Sequence, residues 1–480
     1  MKRFFPLVAV FFLSLGLFAQ SSEFPSLEPT FVYETLTDLL TGEDVIRAGL
    51  EFSLCPQDSP MGEFVIAKYK ELEAAVTVDD FLLLPQDERG EKILTMMYER
   101  ILNQYVADQT KIDTMFSTGT YNCVSSSMLF FALAKAAGLS VAGQETPDHA
   151  FCSVYVDGKK IDVETTNPGG FNPGTKKLVE QTEKSTKYFI VPKKYYSGRK
   201  EVGERKFVSL VGRNLVSFMN EKNNYAQAVP LSAARMLFAE TASAKDSADI
   251  RSDFDMVAGN FAAFLDKKYN QSERAMDWLD AVYERWGKSA ALQKNYDTSA
   301  YNCAVNYLRE KDYNKANEAF EAHKQNLTAK NALNIQTMIF TVYLDETTKT
   351  LTDDEAISFL HGQRNNPLAK EKSVVSHLNT LEEYAWYQKI KSLADGGKYL
   401  EAANLADEAL KNLPASRNLK TIKNQCLKNY AIDVHNEFAN LANAGKYEEA
   451  LAVVQKGLEF VPANAMLKGD LKKIQNVLQK

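Results

Sequence analysis

Hydrophobic and polar positions follow two different rhythms along this chain. Up to about residue 205 the texture is mixed. Helical stretches such as ERGEKILTMMYERILNQY and VSSSMLFFALAKAA come first. The second of these is apolar on most faces, with Gly138 placed to end it in a left-handed cap. Next comes HAFCSVYVDGKKIDVETTN, where apolar and polar residues alternate as in a strand. Its Asp157-Gly158 pair is a strong signal for a two-residue hairpin turn. A Gly/Pro/Asn loop, TTNPGGFNPG, follows. From about residue 206 strand alternation disappears, and Ala, Leu, Lys and Glu dominate a helical pattern.

The helical half repeats a short phrase. NNYAQAV, KKYNQSERAM, KDYNKANEAF, GKYLEAANLA and GKYEEALAVV place Tyr225, Tyr269, Tyr313, Tyr399 and Tyr447 in one slot, and TDDEAISFL fills the missing slot without its tyrosine. The units lie about 44 residues apart at first and about 48 at the end. A small residue stands at the same offset in each: Ala228, Ser272, Ala316, Ala356, Ala402 and Ala450. Such a residue lets paired helices approach closely, so each phrase is expected to open the second helix of a helix-turn-helix unit in a stacked helical array. These phrases resemble tetratricopeptide repeats, and GKYEEALAVVQKGLEFVPAN is the closest of them. The spacing is longer than that family's 34 residues. The resemblance implies an all-α solenoid over residues 206–480, whose concave face takes a peptide or protein partner.

The extreme N-terminus has another character. MKRFFPLVAVFFLSLGLFAQSS carries Lys2 and Arg3, then an apolar run, then Ala19 at a small-residue cleavage point. Charge and length mark residues 1–19 as a secretory signal, with a mature first domain expected over 24–205. No cysteine follows the run to carry a lipid, and no other stretch is long and apolar enough to span a bilayer, so no stable membrane span is expected once the signal is cleaved. We read the chain as a bacterial exported protein, periplasmic or extracellular. The formal charge of −6 becomes more negative when Lys2 and Arg3 leave, and no basic stripe offsets it, which argues against nucleic acid as a partner. The composition, 45% hydrophobic and 25% charged, is that of a chain able to build cores.

Export gives the thiols their interest. Cys55, Cys123, Cys152, Cys303 and Cys426 are odd in number and follow no disulfide framework, so at least one is left over. There is no CxxC, and the five histidines show no zinc spacing, so neither metal nor cofactor is expected. Cys123 stands apart. STGTYN before it is turn chemistry, so the cysteine falls at a helix N-terminus, where free amides and the helix dipole favour a thiolate and supply oxyanion donors.

His149 is the one histidine outside the repeats, and it opens the alternating segment. If Asp157 and Gly158 form the turn, Val156 faces Lys159, Ser153 faces Asp162, Phe151 faces Glu164 and His149 faces Thr166. His149, Asp162 and Glu164 then share one face, with Glu164 the diagonal neighbour of His149 and Asp162 one step further. Ala150, Cys152, Val154, Val156, Ile161 and Val163 share the other face, which reads as core. The outcome is a nucleophilic Cys, a His base and a carboxylate to orient it.

Around these residues, TYNCVSSSMLFFALAKAAGL, DHAFCSVYV and KKIDVETTN resemble the transglutaminase-like superfamily, rearranged relatives of papain-type proteases. The likeness covers about residues 60 to 170 and includes the helical ERGEKILTMMYERILNQY. It implies an α+β papain/transglutaminase-like domain with Cys123 as nucleophile, His149 as base and Glu164 as the third member. The chain has Tyr121 where the family usually has Gly, and Glu164 where it usually has Asp. Asp162 takes the third role if a bulge shifts the register.

Active members of the family transfer acyl groups through a thioester. The expected function is therefore an exported thiol acyl-transfer enzyme, of peptidase/amidase or transglutaminase type, acting on a peptide or protein while the repeats bind a protein partner. A non-catalytic interaction scaffold is the alternative. A side chain near Gln104 or Gln109 is the candidate second oxyanion donor. KYFIVPKKYYSGRKEVGERK (187–206) reads as a solvated linker with a strand.

Overall fold

A computed structural model describes residues 24–34, 39–173, 196 and 198–479. The expected signal at 1–19 and half of the 187–206 linker lie outside the described residues. The protein is mostly helical with a few small sheets. It forms two compact units, residues 1–299 and 300–480.

In the first unit the helix Cys123–Ala136 is central. Every residue from Val124 to Ala134 is buried, as a helix apolar on nearly all faces requires. The helices Gly42–Phe52, Pro60–Val76 and Gln86–Arg100 pack on it from one side and the main sheet from the other. Gly42 permits the tightest of these approaches, since a Cβ there would lie 2.2 Å from the Tyr69 hydroxyl and 2.4 Å from the Ala132 carbonyl. Each end of the central helix is marked locally, by the Asn122 cap and by Gly138 at φ 67°.

The main sheet contains β3 (Ser140–Glu145), β4 (Ala150–Val156), β5 (Lys159–Val163) and β6 (Lys200–Val202), in the order β5-β4-β3-β6 and antiparallel throughout. β1 (Gln104–Tyr105) and β2 (Thr120–Tyr121) form a separate parallel pair. The β4–β5 register is the one the Asp157-Gly158 turn dictates: Val156 pairs with Lys159 and Ser153 with Asp162. Both turn residues have positive φ, 48° and 75°. Ala150, Cys152, Val154 and Val163 are buried, while Val156 and Ile161 are half-buried.

The compact unit runs on past residue 205, where the change of texture lies. Packing explains why. Phe207 fills the space over Gly143 on β3, where a Cβ would lie 2.2 Å from the ring. Lys206 is buried among Glu145 (3.1 Å), Asp249 (2.6 Å) and Asp246 (3.6 Å). Gly212 sits against Phe52 of the first helix. The helices Glu204–Val208 and Leu210–Glu221 are thus built onto the sheet, and those through Trp286 continue the same unit.

The second unit is made of helices that each pack on their neighbours in the chain. Alternate ones, Ala329–Thr348, Lys372–Asp395, Arg417–Asn443 and Ala465–Leu478, also touch one another in succession. Tyr313, Tyr399 and Tyr447 open helices here, as Tyr225 does in the first unit. All six small residues of the repeated phrase are buried, at 5% exposure or less. One phrase is offset: the helix starts at Ser272, because Asn270 takes φ 54° and ends the preceding helix just after Tyr269. Among the described residues, no helix is long and apolar enough to cross a membrane.

Candidate active site

Asn122 sets the entrance of the central helix. Its side-chain oxygen accepts from the amides of Val124 (3.0 Å) and Ser125 (3.1 Å), and the Ser125 hydroxyl accepts from the Asn122 amide. Its amide group donates to the Ala107 carbonyl at 3.1 Å, which fastens the 105–110 segment beside the helix. Cys123 is therefore the first helical residue, and its own N–H has no intrahelical acceptor. It is partly exposed, and all five cysteines are free.

The three serines Ser125 to Ser127 are buried, and the last two point at the segment that carries the acid. Ser126 and Ser127 both hydrogen-bond the Thr165 hydroxyl, at 2.9 and 2.7 Å. Ser127 also donates to the Ala150 carbonyl, next to His149. The Tyr98 hydroxyl donates to the Thr165 carbonyl at 2.9 Å and also contacts the Tyr121 hydroxyl at 3.0 Å. Tyr121, where the resemblance leads one to expect glycine, thus belongs to a tyrosine cluster that braces the acid strand.

His149 is 6% exposed, and its Nε2 lies 2.7 Å from Glu164 Oε2. That leaves Nδ1 on the side of Cys123, whose sulfur adds to the proton affinity of the ring. The ring stacks on Phe151, and Thr146 closes the turn before it by donating to the His149 carbonyl at 2.8 Å. Glu164 is 1% exposed. Its Oε1 accepts from the Thr166 amide (3.1 Å) and hydroxyl (2.7 Å), and its Oε2 from His149 and from the Tyr196 hydroxyl (2.7 Å). The Asn-Pro-Gly-Gly loop folds back on it: the Glu164 amide donates to the Gly170 carbonyl, and a Cβ at Gly170 would lie 1.9 Å from the Glu164 carbonyl.

The electrostatics follow from this geometry. Burial opposes charge on both partners. For His149 the facing Glu164 carboxylate and the Cys123 sulfur override it and raise the imidazole from its ordinary 6.5 to about 10. For Glu164 burial pushes upward, while His149, Tyr196 and Thr166 together hold the carboxyl below its ordinary value. Cys152 is fully buried, donates to the Ser127 carbonyl, and is pushed well up by desolvation.

The structure thus brings Cys123, His149 and Glu164 together. Asp162 is elsewhere, bonded to the Ser153 hydroxyl at 2.9 Å and to Arg199. Gln109 uses its amide group on the carbonyls of Lys111 and Thr120, so it is no oxyanion donor, and Gln104 does not line the cleft. Among the described residues no group of His, Cys, Asp or Glu is arranged to hold a metal. Tyr196 and the serine–threonine lattice have no signal in the sequence beyond the aromatic-basic run 187–206 and the run of serines itself.

Cys123 and His149 open into a cleft of about 420 Å³. Tyr105, Ala107 and Asp108 form one bank, Glu145 to Ala150 the other, and Leu210, Arg213, Asn214 and Phe218 a third side.

No family model matches the chain, and no curated protein does. Among solved structures it is similar to menin, in a crystal structure that reveals the binding site for Mixed Lineage Leukemia (MLL) protein. The TM-score is 0.30 at 13% identity, over 80% of this chain and 90% of that one. A likeness of that size leaves fold family and function to be argued from the chain itself.

Proposed function

We propose that the first unit is a transglutaminase-like, papain-related α+β domain that transfers acyl groups through Cys123, in an exported protein whose tetratricopeptide-like solenoid binds a protein partner. One observation carries the reading. A partly exposed thiol at a helix N-terminus and a buried histidine line one cleft, and behind them a carboxylate with four hydrogen-bond donors holds the histidine's Nε2.

The chemistry runs on the chain's own groups. With the thiol proton on Nδ1 of His149, Cys123 Sγ attacks the acyl carbon of an amide, and the C=O π pair moves onto oxygen. The free N–H of Cys123 faces that developing charge. Collapse re-forms C=O and breaks the C–N bond, and the imidazolium gives its proton to the departing amine. Water or a second amine then attacks the thioester, His149 takes the incoming proton, and Sγ leaves. Water as acceptor makes the domain a peptidase or amidase, and an amine makes it a transglutaminase. Glu164 holds the imidazole ring in position and offsets its charge throughout.

The test is alkylation of Cys123 by iodoacetamide, followed by peptide mass spectrometry from pH 5 to 9 with Cys152 as internal control. The wild type is expected to label Cys123 at pH 6.5 roughly 30-fold faster than an ordinary thiol with its pKa near 8.5. His149→Ala is expected to abolish that advantage. Labelling of Cys123 no faster than Cys152 would sink the acyl-transfer reading and favour an inert scaffold.

A further inference from the structure

The third side of the cleft belongs to the helix Leu210–Glu221, in the region the repeat-like texture claims. Two consecutive residues of this helix hold opposite banks. Asn214 donates to the Thr110 hydroxyl at 3.2 Å, on the bank that Asn122 fastens beside Cys123. Arg213 pairs with Glu145, at the end of β3 on the bank that leads into His149. Arg213 is anchored again by Asp253 at 3.5 Å, which also pairs with the buried Arg235 at 2.9 Å. The helix therefore straddles the cleft, pinned at both ends of the crossing. Its cleft-lining residues Leu210 and Phe218 lie one turn or so to either side of the pinned pair.

An endopeptidase must admit polypeptide on both sides of the attacked carbonyl, so its groove has to be open at both ends. A helix tied to both banks shuts one end. We propose that the cleft is blind: it takes acyl groups at the tip of a chain or side chain, such as a terminal residue or a carboxamide side chain, and excludes peptide bonds in the interior of an extended polypeptide. Leu210 and Phe218 give the closed end an apolar lining, and the Arg213 guanidinium, already neutralised by Glu145 and Asp253, makes it a wall rather than an anion site. This inference rests on the acyl-transfer reading above, because it concerns what reaches Cys123.

The experiment uses one electrophile in two settings on the full chain. A trans-epoxysuccinyl group carries a dipeptide on one carbonyl, or on both. In either case Sγ forms a C–S bond, the epoxide C–O bond breaks, and the alkoxide takes the proton from His149. Alkylation of Cys123 is timed by intact mass, with iodoacetamide as a third arm. The one-armed reagent is expected to react at least roughly ten-fold faster than the two-armed one. In the Arg213→Ala, Asn214→Ala double variant, that ratio is expected to fall to roughly two-fold or less. A ratio taken within one protein cancels general damage to the site.

Equal rates in the wild type, a faster two-armed reagent, a ratio unmoved by the double variant, or failure of both epoxides where iodoacetamide succeeds would each overturn the blind cleft. Failure of iodoacetamide to favour Cys123 over Cys152 would instead remove the acyl-transfer reading, and the blind cleft with it.

Discussion

His149, His377 and His435 each face a carboxylate, and the two units use the same pair differently. In the first unit His149 meets Glu164 at 2.7 Å, with both side chains 2% exposed. In the second, His377 meets Asp345 at 2.8 Å and His435 meets Asp470 at 2.5 Å, with the histidines 29% and 35% exposed. The distances are alike, but the surroundings are not. Solvent reaches the histidines of the second unit and screens their pairs. Around His149, the serine–threonine lattice and the tyrosines satisfy the buried polar groups one by one, and a thiol stands at the other ring nitrogen. A histidine–carboxylate contact is therefore a site only where burial, full hydrogen bonding and a nucleophile coincide.

The second unit is stabilised in another way. Ala402, Ala406 and Ala409 pack with Leu419 and Ile390 in one seam, and Ala450 and Val454 with Phe438 and Ile474 in another. Small residues let helices close on each other, and few polar groups are buried.

The contrast can be broken most forcefully at Glu164. Glu164→Gln replaces an acceptor by a donor facing His149 and Tyr196, and should cost about 3–5 kcal/mol in chemical denaturation of the first unit. Asp345→Asn, at the solvent-screened pair, should cost at most about 1 kcal/mol. Equal losses would show that burial does not separate the pairs.

The next largest effect is chemical. His149→Ala should slow Cys123 alkylation at pH 6.5 by roughly 30-fold, while His435→Ala leaves it unchanged. The same measurement on the two variants decides whether the chemistry is confined to the first unit.

Titration sharpens the comparison further. The His149 imidazole is raised above its unfolded value, so its stabilisation is complete below about pH 6.5 and is lost as pH rises through about 10. Glu164 is lowered, so its share is present above about pH 4.5 and is lost on acidification below it. The first unit should weaken between pH 7 and 10, as read by hydrogen exchange of the Phe151 and Val163 amides. Constant protection across that window would contradict a buried imidazolium.

The smallest effect is expected at Tyr196. Tyr196→Phe removes one donor from Glu164 but keeps the ring against His149 and Phe151. It should cost about 1 kcal/mol in chemical denaturation of the first unit at pH 7. An unchanged stability would reduce Tyr196 to packing alone.

Much of this site is written in short stretches. The turn at Asp157-Gly158 sets the β4–β5 register, and the register alone puts Glu164 within reach of His149. Asn122 and Gly138 bracket the helix that Cys123 opens. These are local decisions, made by turn chemistry and caps over a few residues.

The remainder is long-range. Asp162 and Glu164 share a strand face, and only the packing of Arg199 and Tyr196 sends one outward and seats the other on His149. The serine run reads as helix filler until Thr165 lies opposite it. Residues 206–299 share the helical texture of the repeats, yet Phe207 over Gly143, Lys206 among three acids and Arg213 across the cleft bind their first helices to the sheet.

Sequence by itself determined the central helix with its two caps, the hairpin register and the candidate cysteine, histidine and carboxylates. The tertiary structure decided which carboxylate orients the histidine, which tyrosine caps it and which helix closes the cleft. Those choices depend on shape and buried hydrogen bonding between segments tens of residues apart, and no local pattern encodes such encounters.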